Sequence, residues 1–175
     1  HRNSGQMESF NQLNSQLVNE NVYAILPDKE GSILLGTLSA LVSFNPEKRS
    51  FTTIDKEKDG TPFTSQRITI LFRDSRKRLW IGGEEGISVF QQEGIEIEKA
   101  PILPESSVTK MFTNCIYEAA NGIIWVGTRE GFYCFNEKEK KIKRYTTANG
   151  LPNNVVYGIL EDTFGRLWVS TNRGI

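Results

Sequence analysis

The sequence predicts an all-β fold built from repeated four-stranded antiparallel sheets. Three observations support this prediction: a core segment that recurs four times, an apolar run ending in a turn before each copy, and a further apolar run after it. The bulky residue of the core segment stands at positions 34, 80, 125 and 168, so the copies are 46, 45 and 43 residues apart. A period of about 20 to 50 residues is typical of repeat architectures.

The core segment places a small residue two positions after the bulky one. Its four copies are residues 33–37, 78–82, 124–128 and 167–171. Leu34 stands where the other copies carry Trp80, Trp125 and Trp168. A bulky residue at one position of every repeat fits packing between neighbouring repeats, so we interpret the three tryptophans as core residues.

An apolar run before each core segment predicts the first strand of the unit. The runs are residues 22–26, 68–72, 115–117 and 155–160, and they end before Asp28, Asp74, Ala119 and Asp162. Continuous apolar runs of this length are typical of strands buried on both faces. The connection to the core segment is short and rich in turn-forming residues, so each pair of strands is expected to close as a hairpin.

A second turn follows each core segment, four positions after its glycine position. The small residues there are Ala40, Gly86, Gly131 and Gly174, and glycine permits a positive φ. Third strands are predicted at residues 41–44, 87–90 and 132–135, and a polar turn at 136–141 leads to a fourth strand around Tyr145. A four-stranded meander repeated at this spacing predicts the blades of a β-propeller.

The repeat divides the chain into a single partial β-propeller. We predict the end of a preceding blade at residues 1–16, complete blades at 17–60, 61–105 and 106–150, and the first half of another blade at 151–175. Because a closed propeller needs about four to eight blades, the chain is expected to be part of a larger protein.

Composition argues against several classes of function. Lys+Arg 21 balances Asp+Glu 21, and this zero formal charge disfavours a nucleic-acid partner. His1 is the only histidine, and Cys115 and Cys134 lack the spacing of a metal site, so we predict no metal, no cofactor and no catalytic residues. The predicted strand order also puts the two cysteines too far apart for a disulfide. No apolar run reaches the roughly 18 residues of a membrane span, so membrane contact is expected only through segments outside this chain.

Residues 150–175 closely resemble the two-component regulator propeller repeat, and residues 79–87 and 124–132 repeat its second half. The first copy is degenerate, with Leu34 for tryptophan and Ala40 for glycine. The resemblance implies the periplasmic sensor region of a Bacteroidetes-type hybrid two-component system, joined through an inner-membrane helix to a histidine kinase that regulates transcription. It also implies oligosaccharide signals and action as a homodimer.

The candidate ligand face is the end of the propeller where two sets of loops meet. These loops join each fourth strand to the next first strand, and each second strand to its third. The candidate residues are Arg67, Arg129, Glu130, Asn153, Asn154, Asn172 and Arg173, on a face that also carries Ser65, Gln66, Glu84, Glu85, Lys110 and Asn149. Amides and guanidinium groups suit the hydroxyls and carboxylates of sugars. Arg129 and Arg173 are favoured because they are taken to occupy equivalent positions, although each loop residue has the alternative of solvated surface or turn chemistry.

Three alternatives to a sensor have weaker support in the sequence. Adjacent Glu84 and Glu85 are a poor source of the separated carboxylate pair that a glycosidase needs. A protein-interaction scaffold of the WD type would use the same face, but its Trp-Asp and Gly-His signatures are missing. A quinoprotein enzyme also repeats a turn glycine before tryptophan, as Gly165 and Trp168 do, but the small residue after each tryptophan fits the regulator repeat better.

Overall fold

A computed structural model describes residues 7–11, 17, 21–61, 67–84, 86–99 and 111–175, with the backbone alone for Glu30 and Lys99. Four positions that the sequence assigned to the candidate face lie outside the described residues: Ser65, Gln66, Glu85 and Lys110. The described part of the chain consists of β-strands and turns, with two short 3-10 turns at Lys29–Gly31 and Thr147–Asn149. The all-β prediction is confirmed.

The strands form antiparallel meanders in which each strand pairs with the next one along the chain. Sheet 1 contains β1 (Val22–Pro27), β2 (Ile33–Thr37), β3 (Leu41–Asn45) and β4 (Ser50–Ile54). Sheet 2 contains β5 (Ile68–Arg73), β6 (Leu79–Gly83), β7 (Gly86–Glu93) and β8 (Glu96–Lys99). Sheet 3 contains β9 (Thr113–Glu118), β10 (Ile124–Thr128), β11 (Phe132–Asn136) and β12 (Lys141–Tyr145), and sheet 4 contains β13 (Val156–Glu161) and β14 (Leu167–Thr171). The blade boundaries remain predictions.

The first strand of every sheet has an irregularity at the same place. Pairing with the second strand skips one residue, and the skipped residues are Tyr23, Thr69, Asn114 and Tyr157. An extra residue of this kind is a β-bulge, which bends the strand and re-aims a side chain. The Thr69 hydroxyl donates to the Thr113 carbonyl oxygen at 2.8 Å, and the Asn114 amide donates to the Val156 carbonyl oxygen at 2.8 Å. The bulge therefore links neighbouring sheets.

Glycines in the second strands let the sheets approach closely. A Cβ on Gly36 would lie 2.5 Å from Ile68 Cγ2 of the next sheet, and one on Gly127 would lie 2.6 Å from Val156 Cγ1. Contacts this short do not occur between real side chains, so a larger residue would push the sheets apart. The small residue of the repeat thus sets the distance between sheets.

The three tryptophans differ in environment. Trp80 is 1% exposed and packs edge-on against Phe135 of sheet 3, with 6.2 Å between ring centroids. Trp125 is half-buried and stacks on Phe132 of its own sheet at 4.8 Å. Trp168 is 46% exposed. The interpretation as core is confirmed for Trp80, and for Trp168, which the described residues leave partly uncovered, it stays a prediction.

The first strands also differ from the expectation of burial on both faces. Ile25 of β1 is 68% exposed, and Leu160 of β13 is 61% exposed. β5 and β9 lie between the first strands of two neighbouring sheets, whereas β1 and β13 have a described neighbour on one side alone. β5 and β9 accordingly contain buried and half-buried residues and no exposed one, whereas β1 and β13 each contain at least two exposed residues.

Candidate functional site

The predicted sets of loops meet at one end of the sheets, which we call the loop face. The Arg129 backbone N–H donates to the Phe112 carbonyl oxygen at 3.1 Å, joining the β10–β11 turn to the residue just before β9. The Asn172 N–H donates to Val155 in the same way at 3.3 Å. These bonds hold the second-to-third turns against the segments that enter the first strands.

A threonine hydroxyl closes the turn after the second strand. The Thr128 hydroxyl donates to the Gly131 carbonyl oxygen at 2.9 Å and accepts from the Glu130 N–H at 3.0 Å. Thr37 and Thr171 make the same pair of bonds with their own turns. Gly131 has a φ of +147°, a conformation that favours glycine. The two residues between threonine and glycine are left to project from the loop face.

This turn corrects one expectation about the candidate residues. Arg129 follows Thr128 directly, whereas Arg173 is the second residue after Thr171. The backbone bonds accordingly match Arg129 with Asn172, and Glu130 with Arg173. The expectation that Arg129 and Arg173 occupy equivalent positions is wrong by one residue, because the threonine that closes the turn stands one position before Arg129 and two positions before Arg173.

Arg129 is held over an aromatic ring. Its guanidinium carbon lies 3.7 Å from the centroid of the Phe112 ring, and Arg129 is exposed to solvent. Stacking of this kind fixes the plane of the guanidinium while its N–H groups still face solvent. Among the described residues, Arg129 forms no ion pair.

Arg67 forms a second cluster on the loop face, between sheets 1 and 2. Its guanidinium pairs with Glu84 at 3.0 Å and lies 5.4 Å from the centroid of the Tyr23 ring, which is 46% exposed. The Arg67 Nε atom is buried without a hydrogen-bond partner among the described residues. An aromatic ring, a guanidinium and a carboxylate therefore lie together here.

The remaining candidates are engaged mainly in local structure. The Glu130 carbonyl oxygen accepts from Arg144 Nε at 3.1 Å, and its carboxylate lies 3.9 Å from the same guanidinium. The Asn153 side chain accepts from the Val155 N–H at 2.9 Å, and that of Asn154 accepts from the Thr147 N–H at 2.8 Å. These asparagine contacts are turn chemistry, the alternative that the sequence left open. Asn172 and Arg173 are exposed. Their backbone N–H groups donate to the Val155 carbonyl oxygen and the Thr171 hydroxyl, respectively.

The opposite end, which we call the turn face, carries a motif that the sequence analysis missed. The Asp74 carboxylate accepts from Arg78 Nε at 2.6 Å and from Trp80 Nε1 at 2.9 Å. It also accepts from the Arg78 and Arg76 backbone N–H groups. Burial acts to lower the pKa of Arg78, but the hydrogen bonds that Arg78 donates to Asp74 and Glu137, together with the charges of these carboxylates, outweigh it and raise the pKa. The motif fixes the tryptophan and the β5–β6 turn together.

The same motif recurs in sheet 4. Asp162 accepts from Arg166 Nε at 2.7 Å and from Trp168 Nε1 at 3.0 Å. Sheet 3 lacks it because Ala119 and Ile123 replace the aspartate and the arginine, and Trp125 stacks on Phe132 of its own sheet. The signal was present in the sequence as Asp, Arg and Trp at spacings of four and six residues.

Neighbouring sheets are also linked across the turn face by carboxylates. Glu118, at the end of β9, accepts from the Ser75 N–H and the Ser75 hydroxyl of sheet 2, both at 2.6 Å. Glu161, at the end of β13, accepts from the Ala120 N–H of sheet 3 at 3.0 Å. Each carboxylate thus holds the first turn of the preceding sheet.

The described residues show no metal cluster, no disulfide and no helix that could span a membrane. None of their His, Cys, Asp and Glu side chains forms a group of three or more that could hold a metal ion. The two cysteines are free thiols, and burial raises the pKa of Cys115 to about 11. Within the same residues, no helix has the length and apolar character to cross a membrane.

Comparison with known proteins identifies the repeat. Residues 62–85, 106–130 and 150–173 match the family model of the two component regulator propeller. The chain carries two-component regulator propeller repeats. The matched segments of this regulator propeller include Trp80, Trp125 and Trp168, whereas sheet 1 with Leu34 and Ala40 lies outside them.

The proteins that this chain resembles are much longer than the chain itself. A protein of Formosa agariphila named histidine kinase P4 is 30% identical over 172 residues, which cover 94% of this chain and 12% of that protein. Two extracellular domains from B. thetaiotaomicron share the fold: one is assigned to a one component system (TM-score 0.76, 22% identity, 97% of this chain and 23% of the other). The second is assigned to a hybrid two component system (TM-score 0.73, 23% identity, 96% and 23%).

Proposed function

We propose that the regulator propeller is part of the periplasmic ligand-recognition region of a hybrid two-component protein. It would respond to oligosaccharides and pass the signal to a histidine kinase that regulates transcription. The observation that carries this proposal is the match of three segments to the regulator repeat, supported by similarity along 94% of the chain to a protein named as a histidine kinase. Resemblance to extracellular domains supports the location.

The proposed ligand surface is the loop face. Arg129 supports this choice because the Phe112 ring holds its guanidinium in place 3.7 Å away and no described carboxylate neutralises it. Arg67, Glu84 and Tyr23 add a guanidinium, an acceptor and an exposed ring, which together suit the hydroxyls and apolar faces of sugar rings. Arg173, Asn172 and Glu130 extend the surface. Asn153 and Asn154 act chiefly in holding its loops.

We propose that this region is not itself catalytic. The described candidate residues of the loop face carry guanidinium groups, amide groups and two carboxylates. Both carboxylates pair with arginines: Glu84 with Arg67, and Glu130 with Arg144. A glycosidase needs two carboxylates facing each other across a bond, and those two belong to different sheets with separate partners. The proposed dimer would form through the complete sensor.

A thermal-shift screen of the complete ectodomain against defined oligosaccharides tests the proposal, because a ligand that binds the native state raises Tm. We expect at least one sugar to raise Tm, and Arg129→Ala to abolish the shift while leaving the Tm without ligand within about 1 °C, as for other exposed side chains. Lys138→Ala, which removes an exposed cation from the turn face, is the matched control and should keep the shift.

Two outcomes would redirect the assignment. If no sugar shifts a well-folded ectodomain and a protein partner binds the loop face, the region is an interaction scaffold. If the purified protein shows the absorbance of a bound quinone, it belongs to the quinoprotein class.

A further inference from the structure

We infer that the oligosaccharide bound on the loop face carries an oxyanion, either a carboxylate or a sulfate ester, and that Arg67 releases Glu84 in order to bind it. The inference rests on the proposed function, because it adds the charge of the ligand to a surface already proposed to bind sugar. Its basis is the arrangement of Arg67, Tyr23 and Glu84 between sheets 1 and 2.

Arg67 contacts two sheets at the loop face. Its backbone N–H donates to the Leu38 carbonyl oxygen, just after β2, at 2.7 Å, and its guanidinium carbon lies 5.4 Å from the centroid of the Tyr23 ring in β1. Its Nη1 atom lies 3.0 Å from a carboxylate oxygen of Glu84, which follows β6 in sheet 2. A ligand that binds Arg67 therefore meets both sheets.

These contacts use the Arg67 guanidinium in part. Glu84 reaches Nη1, whereas Nε is buried and has no hydrogen-bond partner among the described residues. A buried donor without an acceptor is costly, and a new acceptor removes that cost. Oxyanions typically bind arginine through two parallel hydrogen bonds, and the edge of the guanidinium that contains Nε offers a pair of donors for such binding.

The ion pair with Glu84 is of a kind that a ligand can replace. The side chains of Arg67 and Glu84 are 36% and 38% exposed. An ion pair this accessible to water contributes little to stability. A sugar oxyanion that binds the same guanidinium exchanges one anion for another, so the charge of Arg67 stays compensated. The released Glu84 can then accept hydrogen bonds from sugar hydroxyls.

The backbone conformation of Arg67 also supports a binding role. Its φ is +31°, whereas Arg49, Lys77 and Lys140, the other described non-glycine residues with positive φ, lie between 52° and 65°. Positive φ is uncommon for a residue with a side chain, and residues held in strained conformations cluster at ligand-binding sites. Arg67 thus combines backbone strain, a buried donor without an acceptor and a replaceable ion pair.

A second guanidinium stands at the entry to the neighbouring first strand. Arg67 is the residue just before β5, and Phe112, on which Arg129 stacks, is the residue just before β9. β5 and β9 are adjacent, and the Thr69 hydroxyl of β5 donates to the Thr113 carbonyl oxygen of β9 at 2.8 Å. Arginines at two adjacent strand entries favour an anionic ligand over a neutral one.

Matched pairs of oligosaccharides test the charge of the ligand on the complete ectodomain. Each pair consists of an acidic oligosaccharide and its carboxyl-reduced or desulfated counterpart, and the thermal shift is measured with both. We expect an acidic member to raise Tm and its neutral counterpart to lose most of the shift; the treatment that removes the shift identifies the oxyanion. Equal shifts within every pair, or shifts by neutral sugars alone, would overturn the inference and leave the proposed function standing. No shift with any sugar would contradict both.

Substitutions in the ion pair test the exchange by titration calorimetry with the acidic sugar. Arg67→Gln is expected to raise Kd at least about tenfold, because a charged hydrogen-bond donor is lost. Arg67→Lys, which keeps the charge and lacks the planar fork, should raise Kd by less. Lys138→Gln, on the turn face, is the matched control and should leave Kd unchanged.

Glu84→Gln distinguishes exchange from a merely structural role. The variant removes the competing charge and keeps an acceptor oxygen, so Kd for the acidic sugar is expected to fall about threefold, the scale of an exposed ion pair. Damage to the fold would raise Kd, and tighter binding therefore cannot arise from it. A higher Kd in Glu84→Gln, or an unchanged Kd in Arg67→Gln, would overturn the inference.

Discussion

The Asp162 carboxylate accepts four hydrogen bonds and thereby organises a whole turn. The backbone N–H groups of Phe164 and Arg166 donate at 2.9 and 3.0 Å, and the Arg166 and Trp168 side chains donate at 2.7 and 3.0 Å. The bond from Trp168 is the main cause that lowers the pKa of Asp162 to about 2. Four donors around one carboxylate make its ionised form part of the fold.

We expect Asp162→Asn to destabilise the chain in a pH-dependent way. The pKa of folded Asp162 is about 2, and that of aspartate in an unfolded chain is about 3.9. The stabilisation is therefore complete above about pH 5 and is lost as the pH falls towards 2. Urea unfolding of both proteins between pH 2 and 7 should show a gap in unfolding free energy that closes on the acid side. A gap that stays constant with pH, or an equal one for the exposed Asp55→Asn, would contradict this account.

At the scale of the strand, the small residue of the second strand decides how closely sheets can pack. Gly127 faces Cys115 and Val156, and an added Cβ would lie 2.4 Å and 2.6 Å from their side chains. Ser170 holds the corresponding place in β14 and carries a side chain. Sheet 4 tolerates it because no described first strand packs against that side.

Gly127→Ser is accordingly expected to destabilise the chain by about 1–3 kcal/mol, the usual cost of overpacking a core. Ser170→Ala is the matched change at the corresponding position and should alter the unfolding free energy by less than about 0.5 kcal/mol. Urea unfolding followed by tryptophan fluorescence measures both. If Gly127→Ser proves as mild as Ser170→Ala, close sheet packing does not require glycine there.

The strands themselves were largely predictable because their signals are local. Apolar runs, turn residues and the glycine after the second strand gave the hairpins, and Gly131 and Gly174 do adopt positive φ. Ala40 closes the same turn without a positive φ, and the Thr37 hydroxyl bonds are still made there. The exposure of Trp168 could not be predicted, since it depends on which sheet lies next to it. In the candidate site, the loop positions were predictable, but the stacking of Arg129 on Phe112 depends on tertiary contacts.

In the whole molecule, the sheets are held together by a small set of bonds at both ends of the first strands. Side chains in the β-bulges bond to the next first strand, and carboxylates at the strand ends hold the preceding turn. The bulge bonds repeat, while at the strand end of sheet 2 the side chain of Arg73 donates to Asp28 of sheet 1, where sheets 3 and 4 use the carboxylates of Glu118 and Glu161. The repeated bonds stabilise the packing of neighbouring sheets, and the variable charges determine which sheets can lie side by side.

Removing one strand-end carboxylate is expected to loosen a single interface. In Glu118→Ala, amide exchange at Ser75 should accelerate about tenfold, the effect of losing a hydrogen bond worth roughly 1.4 kcal/mol. The Ala120 amide, which Glu161 holds, should keep its rate. Glu161→Ala should give the reverse pattern in exchange measured by NMR. Acceleration at both amides in either variant would show that the interfaces do not act separately.

The threonine-closed turns bear on how such proteins can diversify. Because Thr128 and Gly131 fix the backbone, the two side chains between them can change without altering the frame, as the pairs Arg129 with Glu130, Asn172 with Arg173, and Leu38 with Ser39 illustrate. Duplicated repeats can therefore acquire new recognition chemistry through substitutions at two positions per turn. A gene library randomised at those pairs alone would explore specificity while leaving the folding determinants in place.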